Sequence, residues 1–159
     1  MMGIPGSGKS TWIDENLPHS EFPAVISPDD LRHRLCGNAS NQSRNTEVFE
    51  MAHARLKWLL LHGDNAVWDA TNLKAEHREQ ILMICKEYKA TTQLVIMGTP
   101  YEVCCERNAA RLYRVVPDHA MERMEDLFAY TLVGEDEYNE ITCVGAVRGH
   151  VADKPHRLT

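Results

Sequence analysis

GIPGSGKST, residues 3 to 11, constrains this chain more than any other segment. Gly3 to Ser10 reads as Gly, four residues, then Gly-Lys-Ser, a spacing that lets consecutive backbone N–H groups converge on an anion with no side chain in the way. Gly3, Pro5, Gly6, Ser7 and Gly8 would form a phosphate cradle. Lys9 would reach the outer phosphates of a nucleotide and Ser10 would ligate magnesium. Thr11 extends the same corner, where a helix starts and turns the positive end of its dipole to the anion. A glycine-rich turn of no chemical consequence is the alternative, and Lys-Ser directly after the last glycine argues against it. The loop speaks for nucleoside triphosphate binding and leaves open what receives the phosphate, since ATPases, GTPases and kinases all use it. It also needs something rigid to hold it.

The order of elements supplies that support. Ser10 to Asn16 reads as a helix closed by Pro18, Ala24-Val25-Ile26 as a buried strand, and Ser27-Pro28-Asp29-Asp30 as the capped, acidic start of a helix reaching Leu35. Gly37 to Asn45 is a loop, and Thr46 to His62 carries Val48, Phe49, Ala52, Leu56, Leu59 and Leu60 at helical spacing. Ala66 to Trp68 is a strand ending at Asp69, Lys74 to Lys89 an amphipathic helix, and Gln93 to Met97 another strand. Pro100 to Tyr113 and Pro117 to Leu132 read as helices, and Ile141 to Val147 as a last strand. Strands alternating with helices predict an α/β fold with a parallel sheet covered on both faces, its ligands at the carboxyl ends of the strands. The expected domain covers residues 1–147, with a loose polar tail over 148–159.

With 159 residues and 43% hydrophobic content, the chain suits one globular domain. Its net charge of −6 argues against coating nucleic acid through a basic surface and leaves room for a small basic pocket. Cys36, Cys85, Cys104, Cys105 and Cys143 form neither a Cys-x-x-Cys pair nor a regular framework, so the expectation is a reducing cytoplasm without zinc or disulfides. The longest apolar stretch, Trp58 to Leu61, is too short to span a bilayer.

Three further clusters carry candidate chemistry. In SPDDLRHR, residues 27 to 34, Asp29 and Arg32 share one helix face. The carboxylate could take a proton from an attacking hydroxyl while the guanidinium holds an anionic part of the acceptor; an acidic cap with an exposed ion pair is the alternative. In WDATN, residues 68 to 72, Asp69 could hold the magnesium shell, orient an arginine or cap a turn, and Asn72 is a turn residue with an acceptor contact in reach. In ERNAARLYRVVP, residues 106 to 117, Arg107, Arg111 and Arg114 follow i, i+4, i+7 and would project from one side of a helix. That is either a solvated face paired with acids or a helical lid that neutralises charge on a transferring group.

GIPGSGKSTW, PDDLR, DATNL and RNAARLYRVVP, in this order, resemble the kinase domain of phage and bacterial polynucleotide 5′-hydroxyl kinases over roughly residues 3 to 131. The resemblance implies a P-loop kinase fold with a helical lid. It implies that Lys9 and Ser10 hold the triphosphate and magnesium and that Asp29 is the general base on a 5′-hydroxyl. Arg32 would engage the acceptor's 3′-phosphate, Asp69 support the acceptor site, and Arg107 and Arg111 clamp the donor phosphates. Arg114 has no counterpart there and rests on helical spacing alone.

The chain departs from that family in front of the loop, where a full central strand is reduced to Met1-Met2. A strand rises about 3.3 Å per residue and commonly has five or six residues. The expectation is a polypeptide that starts upstream, with neighbouring backbone groups unpaired and the cradle poorly anchored in this chain. Two rival functions stay open: a kinase acting on a small metabolite, nucleotide sugar or aminoacyl-tRNA, and a nucleotide-binding module without transfer activity.

Overall fold

A computed structural model describes residues 1–17, 24–38, 41–112, 114–131, 133–134 and 137–145, together with the backbone of 151–152. Pro18, Tyr113, Leu132 and Val147, where boundaries are expected, lie outside the described residues, as does most of the 148–159 tail.

Six helices occur among the described residues: α1 (Lys9–Asn16), α2 (Pro28–Cys36), α3 (Asn45–Leu61), α4 (Ala75–Glu87), α5 (Tyr101–Ala109) and α6 (Asp118–Ala129). Local chemistry accounts for α2: the Ser27 hydroxyl accepts from Asp30 N–H at 3.3 Å, Pro28 stands in the first turn, and Gly37 ends the helix at a φ of 69°. In α3 the buried side chains are Val48, Ala52, Leu56 and Leu59, spaced by four, four and three, which puts them on one stripe against the sheet.

The strands are β1 (Ala24–Ile26), β2 (Ala66–Trp68), β3 (Gln93–Gly98), β4 (Val133–Gly134), β5 (Glu140–Gly145) and β6 (Val151–Ala152). β1 pairs with β2, β3 with β5 and β4 with β6, all in parallel. The tail expected to be loose therefore contributes a short pairing at β6, because Val151 and Ala152 find the open backbone of β4. Along β3 the faces alternate: Leu94 and Ile96 pack with Cys104 of α5 and with Met121 and Phe128 of α6, whereas Val95 and Met97 pack with Ile13 of α1. A strand buried on both sides is the mark of a parallel sheet with helices on each face.

Met1 to Gly3 stand between β2 and β3 and join the two pairs. Met2 bridges Ile96, donating to Val95 O at 2.7 Å and accepting from Met97 N at 2.8 Å. On the other side Gly3 N donates to Thr71 O at 3.1 Å and the Met1 ammonium to Trp68 O at 3.3 Å. The expectation of a poorly anchored cradle is thus corrected at the loop itself. Met2 is fully buried, and Met1 to Gly3 pair to both sides where the loop begins. Towards the amino ends of β2 and β3 the same position opens into a cavity of about 660 Å³ bordered by Val67, Trp68, Leu94 and Val95. Burial of the Met1 amine in this sheet pushes its pKa down to about 6, with the Asp69 carboxylate opposing the shift.

Candidate active site

The carboxyl ends of the strands gather the chemistry. The glycine loop follows Met2, Asp29 follows β1 by three residues, Asp69 follows β2 directly, and Thr99 follows β3. Together with the lid segment they border a cleft of about 790 Å³.

Gly6 and Gly8 sit at φ of 84° and 92°, left-handed conformations that a side chain disfavours, and Gly8 hands the chain to α1. The loop is braced from α5. A Cβ on Gly6 would stand 2.4 Å from the Cys104 carbonyl oxygen, Arg107 Nη1 donates to Gly6 O at 3.2 Å, and Thr99 Oγ1 donates to Ser7 O at 2.8 Å. Packing that close leaves room for glycine alone. Burial of α5 against the core also pushes the Cys104 thiol up to about 11, so it stays protonated and serves as packing.

Lys9 Nζ lies across the loop and donates to Gly3 O and Ile4 O, each at 2.9 Å. Burial lowers its pKa to about 8; the Asp69 carboxylate resists this and the Arg111 guanidinium adds to it. Ser10 Oγ donates to Asp69 Oδ2 at 3.2 Å, so a hydroxyl and a carboxylate stand side by side at the loop's helical end. These are hard oxygen donors of the kind a magnesium ion takes, beside the place where the outer phosphates of a nucleotide would lie.

Asp29 faces the same cleft with its side chain 35% exposed. Both carboxylate oxygens are engaged: Oδ1 accepts from Arg32 Nη1 at 2.5 Å and Oδ2 pairs with Arg114 Nη1 at 2.5 Å. Arg32 differs from expectation. Its side chain is 5% exposed, its Nη2 donates to Asn45 Oδ1 at 2.7 Å, and it does not line the cleft. The i, i+3 spacing that pairs it with Asp29 also turns it inward against the start of α3, so it braces the carboxylate from behind.

The lid differs as well. α5 ends at Ala109, so Arg111 and Arg114 are not on a helix with Arg107, and Arg114 has a φ of 63°. Buried Asn108 causes the turn: its Nδ2 donates to Val116 O at 2.8 Å and its Oδ1 accepts from Val116 N at 3.0 Å. One side chain thus satisfies a backbone donor and acceptor eight residues on and folds the segment over the cleft. All three arginines still line it. Arg111 has its pKa lowered by burial first and by the Arg114 cation second, which places two guanidiniums close together there.

Asn72 goes elsewhere. It is buried at a φ of 50°, and its Nδ2 donates to Met1 O at 2.7 Å, so it is a turn residue that fastens Met1 and is not directed to the cleft. Sequence reasoning missed Asn108, Thr99 and Arg78. Arg78 Nη1 donates to Asn72 O and Leu73 O, both at 3.1 Å, and so holds the loop after Asp69 from below. The asparagine of RNAAR was visible as a polar residue inside an expected helix, an available signal for a side chain bonding to backbone.

A family model described as an AAA domain matches residues 1–131. The chain belongs to that family. As an AAA domain it carries a P-loop nucleotide-binding site of the kinase-like kind, and the matched span includes every residue named in the cleft. Among the described residues no helix is long and apolar enough to cross a membrane.

Proposed function

We propose that this AAA domain is an ATP-dependent kinase that moves the γ-phosphate to the 5′-hydroxyl end of a polynucleotide. The observation that carries the reading is the convergence of Lys9, Asp29, Arg107 and Arg111 on one cleft, with Ser10 and Asp69 paired beside the loop. The acceptor oxygen attacks the γ-phosphorus and forms the new P–O bond. The bond to the β–γ bridging oxygen breaks, and ADP leaves with the electron pair. The acceptor's proton passes to the Asp29 carboxylate. Lys9 holds the outer phosphates, and Arg107 and Arg111 close over the charge that spreads on the transferring group. Ser10 and Asp69 are the residues that would hold magnesium, which would supply charge neutralisation on the triphosphate.

A small-molecule acceptor is the second reading. It is favoured by the inward position of Arg32, the cation otherwise expected to meet the acceptor's 3′-phosphate. The test incubates the protein with γ-labelled ATP, magnesium and either a 5′-hydroxyl oligonucleotide or a panel of small alcohols. Label on the oligonucleotide supports the first reading, label on a small alcohol alone replaces it with the second, and ATP binding with no transfer leaves a nucleotide-binding module.

A further inference from the structure

Asp29 cannot act as a base while both its oxygens are held by guanidiniums, yet the two arginines that hold it are built differently. Arg32 is enclosed and fixed by Asn45 as well. Arg114 leaves 34% of its side chain exposed, comes from irregular backbone beyond the end of α5, and lines the cleft. Its neighbour Val116 is tied down by Asn108, so the backbone is anchored while the side chain can swing. The guanidiniums also divide the cleft between them. Arg107 reaches the glycine loop, which puts it at the donor end, and Arg111 acts electrostatically on both Lys9 and Asp29, which puts it between the two ends. Arg114 sits on the base, at the acceptor end.

From this arrangement, and resting on the kinase reading above, we infer that Arg114 is the acceptor's anion receptor and the latch on Asp29. A phosphate carried by the acceptor near its reacting hydroxyl draws Arg114 off Asp29 Oδ2. The exchange binds the acceptor and frees the base in one movement. A half-exposed ion pair is worth little in water, whereas a phosphate offers guanidinium a doubly bonded, more highly charged partner, so the exchange runs towards the acceptor. Arg111 close behind Arg114 favours it further, since two cations that repel one another gain from an anion placed between them. The substrate class is therefore an alcohol that bears a phosphate close to the hydroxyl, and neutral alcohols leave the latch shut.

Binding tests this apart from turnover. Calorimetry on the ADP-loaded protein compares adenosine 3′-monophosphate with adenosine, in the wild type, Arg114→Ala and Arg114→Lys. The phosphate should tighten wild-type binding at least tenfold. Arg114→Ala should remove most of that gain, Arg114→Lys should keep part of it, and all three should bind ADP equally and melt within a few degrees of one another. An oligonucleotide and glycerol 3-phosphate as further ligands tell whether the phosphate belongs to a nucleic-acid end or to a small molecule. Equal binding of adenosine and its 3′-phosphate by the wild type overturns the inference, as does an undiminished gain in Arg114→Ala. Absence of transfer to any acceptor would remove the kinase reading while these affinities still decide whether Arg114 receives the anion.

Discussion

Gly6→Ala tests whether α5 braces the phosphate loop. Position 6 has a φ of 84°, and a Cβ there would stand 2.4 Å from the Cys104 carbonyl oxygen, a backbone atom inside a helix that cannot turn aside. Left-handed backbone costs an L-residue about 1–2 kcal/mol. Forcing loop and helix apart adds about 1–3 kcal/mol, the usual penalty for overpacking. Two glycines serve as controls. Gly37 has a φ of 69° with nothing within 4 Å, and Gly8 has a φ of 92° with Arg107 Nη1 as its nearest neighbour at 3.6 Å. Alanine at those positions meets the backbone penalty alone. Denaturant titration should therefore rank Gly6→Ala as the least stable, by about 1–3 kcal/mol beyond Gly37→Ala, and melting should fall further by roughly 2–10 °C. Nucleotide affinity should drop with it, because the loop's N–H groups no longer converge. Equal losses at positions 6 and 37 would refute the bracing.

Asn108→Ala removes both bonds to Val116 and should cost about 1–3 kcal/mol while speeding proteolytic cleavage in residues 110–116; unchanged cleavage would contradict the clasp. Asn72→Ala should lower stability by about 1–3 kcal/mol and leave acceptor and nucleotide affinity as they are, whereas a raised acceptor KM at full stability would restore it to the site. Lys9 titrates near 8 because burial disfavours its charge, and triphosphate oxygens favour that charge and so raise its pKa on binding. ATP affinity should therefore fall as pH rises through about 8, with proton uptake on binding measurable in buffers of different ionisation enthalpy; a flat profile from pH 7 to 9 would show that Lys9 stays charged throughout.

How much of this was legible depends on whether the signal was local. The α/β order, the edges of β1 and β2 and the helix cap at Ser27 all follow from short-range propensities, and the structure reproduces them. The loop, Asp29 and Asp69 meet because each follows a strand, which topology alone dictates. Arg32 was legible as the partner of Asp29 and illegible as buried, since its inward turn depends on Asn45, thirteen residues on. The lid was misjudged for a related reason: helical spacing in RNAARLYR suggested a single helix, but Asn108 bonds Val116 and tertiary closure overrides propensity. Met1 to Gly3 show the reverse case. The two residues Met1-Met2 looked too few for a strand, yet Val95, Met97 and Thr71 supply partners on both sides that only the folded sheet brings together.

Single-turnover transfer from γ-labelled ATP by Asp29→Asn tests the placement of a base opposite the loop most directly. Asparagine keeps the size of the side chain and a carbonyl acceptor but cannot take the proton, so the chemical step should slow by about 10²–10⁴-fold, the usual worth of general-base catalysis, with ATP affinity preserved and a lower melting temperature from the lost ion pair with enclosed Arg32. Transfer at the wild-type rate in that variant would contradict the account.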